Sequence, residues 1–133
     1  KNDTYGFSFK YPKDWDLKEY KEQNTVAVSK GTDSFAVNYY DSVANEPENK
    51  SNNYGATTID ELVVKDPMIT GEQKTTFDGK EAYEAVWGGM GASYSLIIND
   101  NGRLIVINFG NKEKKSDLTA IQNQIRSTFQ FTK

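Results

Sequence analysis

Two apolar runs, Tyr94–Ile98 and Leu104–Phe109, flank Asn99-Asp100-Asn101-Gly102. Asn and Gly take positive φ at little steric cost, so the pattern predicts a β-hairpin. Leu104-Ile105-Val106-Ile107 is apolar without a break. A strand with one wet face would alternate apolar with polar, so this run is expected mid-sheet with both faces covered.

Elsewhere the pattern is alternating. Tyr5, Phe7, Phe9 and Tyr11 share one face of a predicted strand that Pro12 ends by removing a backbone donor. Trp15 and Leu17 mark a weaker strand through Glu22, and Asn24 a turn. Thr25–Ser29 is a short strand. Lys30–Asp33 turns, and Ser34–Tyr40 follows with Phe35, Val37 and Tyr39 on one face and Ala36, Asn38 and Tyr40 on the other. Trp15 to Tyr40 therefore reads as an antiparallel meander. Met68–Phe77 reads as a polar strand near an edge. Asp78-Gly79 turns into Lys80–Trp87, where Glu81, Tyr83, Ala85 and Trp87 share one face and Ala82, Glu84 and Val86 the other.

Two segments carry helical signals. Thr58-Ile59-Asp60-Glu61 has the form of a capping box, Ile59, Leu62 and Val63 give an apolar stripe, and Asp66-Pro67 ends it after about two turns. Near the C-terminus Leu118, Ile121, Ile125 and Phe129 form one stripe, with Ser116 as the expected cap and Asp117 as the first residue. Asp41–Gly55 has no period and is read as a long connector or contact loop. Neither a repeat nor a linker is visible, so residues 1–133 are expected to form one α+β domain with helices packed on an antiparallel sheet.

Composition narrows the chemistry. The chain has no Cys and no His, which removes disulfides, thiol catalysis, the commonest metal ligand and a Ser-His-Asp triad. Net charge is −3, from 16 basic and 19 acidic residues. That argues against nucleic acid, whose phosphates call for a basic patch. The densest basic cluster, Lys112-Glu113-Lys114-Lys115, reads as a solvated loop. No apolar run is long enough to span a bilayer as a helix. The chain starts at Lys1 rather than Met, so a signal or lipid anchor is expected upstream.

Several motifs invite a site. Gly88-Gly89-Met90-Gly91 lacks the Lys-Ser/Thr of a phosphate loop and precedes a strand, so a tight turn or bulge is expected. Asn99–Gly102 lacks the spacing and closing Glu of a calcium loop. Asp41, Glu46 and Glu48 could hold a divalent cation, or be a solvated acidic loop. Tyr39, Tyr83, Trp87 and Tyr94 are either core or one wall of a partly open groove. Tyr39, Trp87 and Tyr94 are the residues singled out for ligand binding. Asn2-Asp3-Thr4 and Asn49-Lys50-Ser51 match the glycosylation pattern, as chance allows in an Asn-rich chain. Glu84 is the carboxylate nearest an apolar setting, and a cross-strand partner is expected for it. No catalytic residue, metal ligand or cofactor is assigned.

Tyr5-Gly-Phe-Ser-Phe-Lys-Tyr-Pro-Lys-Asp-Trp15 resembles the opening strand and turn of PsbP-like domains. Ile121-Gln-Asn-Gln-Ile-Arg-Ser-Thr-Phe-Gln-Phe131 is similar to their closing helix and terminal S-T-F-x-F, and Asp78–Tyr83 also suits the pattern. The resemblance touches both ends and the centre of the chain. It implies an αβα sandwich with a central antiparallel sheet, flanked here by the short helix and the C-terminal helix. The plant member is a photosystem II subunit, the Mog member binds a nuclear GTPase, and many bacterial relatives are exported lipoproteins. With no His, the chain lacks the residue that metal-linked roles of photosynthetic members would use. What carries over is a non-catalytic binding module, extracellular or attached to the cell envelope, monomeric, with a protein partner. The alternative is a small-ligand or divalent-cation binder using the 41–57 loop and the sheet aromatics.

Overall fold

The computed structural model describes residues 6–88, 93–110 and 112–132. Gly88 is included, but the expected turn at 89–91, the sequon at Asn2 and Tyr5 of the first strand lie outside the described residues. The strands are β1 (Phe7–Ser8), β2 (Asp16–Tyr20), β3 (Thr25–Lys30), β4 (Asp33–Tyr40), β5 (Ile69–Phe77), β6 (Lys80–Trp87), β7 (Ser93–Asp100), β8 (Arg103–Phe109) and β9 (Gln130–Phe131). The helices are α1 (Pro47–Ser51), α2 (Ile59–Lys65) and α3 (Ala120–Thr128). Seven strands form one antiparallel sheet in the order β2-β3-β4-β8-β7-β6-β5, and β1 pairs with β9 alone.

The predicted hairpin is the centre of this sheet. β7 and β8 pair from Tyr94↔Phe109 to Asp100↔Arg103, leaving Asn101 and Gly102 as a two-residue turn with φ of 55° and 92°. Both values need the left-handed region, which Asn tolerates and Gly reaches freely. The unbroken run in β8 is buried on both sides. Ile105 and Ile107 join a cluster with Phe35, Leu96, Ile125 and Phe129 under α3. Leu104 and Val106 join Ile59, Leu62, Ile97 and Ala85 under α2. The architecture is therefore α+β, an antiparallel sheet between helices on its two faces.

Both edges are polar. β2 is exposed throughout, with Leu17 46% exposed, while Trp15 just before it is buried. β5 is the opposite edge, as its polar sequence predicts, and its pairing slips between Thr70 and Gln73 around Gly71.

Three boundaries differ from expectation. The first strand is only two residues, because it pairs with β9 rather than the main sheet; Phe7 is buried and Tyr11 is exposed. The C-terminal helix starts at Ala120, not Asp117. Thr119 Oγ1 accepts from Gln122 N at 3.1 Å and Gln122 Oε1 accepts from Thr119 N at 3.0 Å, a reciprocal cap that Ser116 lacks. Asp41–Gly55 is not a patternless loop. It holds a turn of 3-10 helix, Val43–Asn45, and then α1.

The tail closes the fold as its aromatic residues suggest. Phe129 lies 5.5 Å from Phe7, 5.5 Å from Phe77 and 5.3 Å from Phe131, ring centre to ring centre.

Candidate functional site

The sheet is not apolar along its whole length. At one end of the face that α2 covers only in part, three neighbouring strands present small polar residues. β4 gives Ser34 and Asn38, β8 gives Asn108, and β7 gives Ser93 and Ser95. The register sets them side by side, since Ala36 opposes Asn108, Asn38 opposes Val106 and Ser95 opposes Asn108. Their chain neighbours Phe35, Val37, Tyr94 and Phe109 fill the other face. With no apolar stripe to receive a helix, this end stays open as a cleft of about 400 Å³. Tyr40, Trp87, Glu46 and Glu48 complete its lining.

The floor has hydrogen-bonding capacity to spare. Thr25 Oγ1 lies 2.9 Å from both Asn38 Oδ1 and Gln23 O, and Ser95 Oγ lies 2.6 Å from Asn108 Oδ1 and 3.1 Å from Ser93 O, so each hydroxyl sets its single proton between an Asn amide and a backbone carbonyl. Each Asn amide is engaged by a hydroxyl at one end, and its other end has no protein partner among the described residues. Ser34 Oγ accepts from Gly110 N at 3.1 Å, and any side chain at 110 would collide with that hydroxyl. From α3, Gln122 Nε2 donates to Ser34 O at 3.0 Å and fixes the strand end from behind.

The acidic wall comes from the stretch expected to be a loop. Glu46 is 4% exposed and caps α1, its two oxygens accepting from Glu48 N at 2.9 Å and Asn49 N at 3.0 Å. Burial pushes the Glu46 carboxyl above its ordinary range; the backbone donors oppose this, and the charges of Asp66 and Glu48 add to it. Burial, and then the Glu46 charge, push the Tyr40 phenol up to about 12. Asn49 is buried and holds the segment closed. Its Nδ2 donates to Val43 O and Ala56 O, both at 2.9 Å, and its Oδ1 accepts from Ala56 N at 3.1 Å. That amide is thus spent in the fold, out of reach as a glycosylation acceptor.

The aromatic residues singled out from sequence do not share one wall. Tyr39 and Tyr94 lie on the α3 face, and Tyr83 and Trp87 on the α2 face, because β-strand neighbours alternate and these four fall on different parities. Tyr39 packs in the core at 6.0 Å from Phe7. Tyr94 is buried and donates to Glu84 Oε2 at 2.8 Å, the cross-strand partner expected for that carboxylate. Burial, followed by this bond, raises the Tyr94 phenol, while the Arg126 charge opposes the rise. Of the three, Trp87 lines the cleft. Asn38, Asn108, Ser34 and Tyr40 went unassigned by sequence reasoning. Their signal is present, as polar residues alternating with apolar ones at the matching ends of three strands.

The other candidates are committed to structure. Asp100 is buried in the hairpin turn between Lys80 Nζ at 3.0 Å and an Arg103 guanidinium nitrogen at 2.5 Å. No group of three or more carboxylates among the described residues is placed to hold a metal ion. Asp41, Glu46 and Glu48, read as either a cation site or a solvated acidic loop, thus form no ready-made cage. Nor is any helix among the described residues long and apolar enough to cross a membrane.

No family model matches the chain, and no curated protein matches it. Solved structures do. A crystal structure from Bacteroides thetaiotaomicron VPI-5482 aligns with a TM-score of 0.57 at 12% identity, covering 96% of this chain and 45% of the other. The chain therefore spans under half the length of that protein. The solution structure of cyanobacterial PsbP from Synechocystis sp. PCC 6803 aligns with a TM-score of 0.54 at 14% identity, covering 98% of this chain and 89% of the other. The fold is PsbP-like, as the opening and closing motifs imply.

Proposed function

We propose that this chain is a non-catalytic accessory module that binds a protein partner at the cell envelope, and that the cleft is its contact surface. The observation that carries the reading is the floor of Asn38 and Asn108, each with one end of its side-chain amide unengaged by protein among the described residues, beside an open cleft of about 400 Å³. Polar groups at the floor of a cleft can exchange solvent for a ligand that bonds them in its place. Catalysis lacks support from the same residues. Glu46 serves as a helix cap, and the chain has neither His nor Cys to activate a nucleophile. The PsbP-like fold agrees with a binding role, and the envelope location follows from the family resemblance.

Photo-crosslinking in the source cell tests this. A photoreactive residue at Glu48, on the exposed rim of the cleft, should give one discrete protein adduct in the envelope fraction. The same residue at exposed Gln124 on α3 should give none. Equal labelling from both positions, or fractionation of the whole protein with the cytosol, would contradict the proposal.

A further inference from the structure

Among the described residues the cleft is lined by two carboxylates, Glu46 and Glu48, and by no Lys or Arg. Asp66 lies close enough for its charge to act on Glu46. Among the described residues Asp14, Asp33, Asp60, Glu61 and Asp100 each have a Lys or Arg partner. Glu46, Glu48 and Asp66 have no such ion pair there, and of the described carboxylates without one Glu46 and Asp66 are the buried ones, while Glu48 is exposed like most of the rest. Asp66 is buried, its Oδ1 accepts from Met68 N at 2.9 Å, and its Oδ2 meets no donor. The two carboxylates that line the cleft, with the Asp66 charge acting on Glu46, set up a negative potential there. A cation relieves it, and an anion is repelled.

We infer that the cleft receives a cationic side chain, the ammonium of a lysine or the guanidinium of an arginine, presented by the partner protein; this rests on the reading that a partner occupies the cleft. An organic cation fits better than a metal ion, since no three carboxylates converge on a point. Trp87 lines the same cleft, and an indole face attracts ammonium and guanidinium groups once they are desolvated. Asn38 and Asn108 each offer one end of a side-chain amide to the peptide groups that flank such a side chain in an extended segment. A volume of about 400 Å³ accommodates one long side chain with its adjacent peptide groups, not a folded element.

The probes are acetyl-Gly-Lys-Gly-amide, acetyl-Gly-Arg-Gly-amide, the neutral norleucine counterpart and calcium chloride, each titrated into the isotope-labelled chain and followed by NMR. The cationic peptides should shift the Trp87 indole N–H and the side-chain amides of Asn38 and Asn108. Raising salt to about 0.5 M should weaken the effect. Glu48→Gln, which keeps the rim polar, should weaken binding about three- to fivefold. Equal shifts with norleucine, a calcium response at the same signals, no shift with either cation, or unchanged affinity in Glu48→Gln would each overturn the inference. A surviving photo-adduct from position 48 alongside failed peptides removes the cation and keeps the binding module. Peptide shifts without an adduct remove the protein partner as its source.

Discussion

The β7–β8 hairpin and the segment 41–57 are both ordered parts of the same domain, held by different forces. In the hairpin Leu96, Ile97, Ile98, Leu104, Ile105 and Ile107 are fully buried, and area removed from water holds the strands between two helix layers. The 41–57 segment buries little that is apolar beyond Val43 and Ala56. It closes through Asn49, which bonds Val43 and Ala56 across the turn, and through Glu46, which caps α1. The hairpin is the scaffold, and the polar segment supplies the acidic wall of the cleft.

That contrast can be sharpened by substitution. Ile105→Ala should cost the most, about 2–5 kcal/mol by urea denaturation, because it opens a cavity in a close-packed sheet centre. Asn49→Ala should cost less globally, about 1–3 kcal/mol, since it strips the Ala56 carbonyl and N–H of their Asn49 partners and leaves the Val43 carbonyl with Glu46 N–H alone. Its signature should be local, with faster amide exchange over 43–56 and unchanged exchange in β7 and β8. Equal loss of protection in both regions would break the distinction. Thr119→Ala should cost about 1 kcal/mol by removing one half of the α3 cap, read as a lower melting midpoint.

The smallest effect is a pH dependence. The Glu46 carboxyl is raised in the folded chain, so folding binds its proton more tightly than the unfolded chain does. The penalty for burying its charge is full at neutral pH and disappears as pH falls through the raised value toward the ordinary 4.5. Wild type should therefore gain stability relative to Glu46→Gln across that window in paired denaturation series. A gain with rising pH would reverse the sign and contradict the burial argument.

The same contrast explains what could be read from the chain. Leu104–Ile107 and Asn101-Gly102 announced a buried hairpin, because apolar runs and positive-φ turns depend on local residue type. The edge position of β5 and the stripe of α3 were legible for the same reason. The order in 41–57 was not, since it depends on one Asn side chain meeting backbone groups six and seven residues away. Nothing in composition separates such an Asn from a solvated one. The aromatic residues divide between the two readings, because strand parity sends Tyr39 and Tyr94 to the core on one face and Trp87 to the cleft on the other. The cleft floor was legible only once register placed Asn38, Asn108 and Ser95 on adjacent strands.

The cleft exists as a preformed site only if its acidic wall is folded in the free protein. Amide hydrogen exchange at Asn49, Tyr54 and Ala56 measures this directly. Their N–H groups donate to Glu46 Oε1, Asn49 O and Asn49 Oδ1 respectively. The structure predicts exchange slowed at least about a hundredfold relative to the unfolded chain, with local opening costing about 3 kcal/mol or more. Exchange at unfolded rates would mean that the wall forms only on binding, and that the free protein has no ready-made cleft.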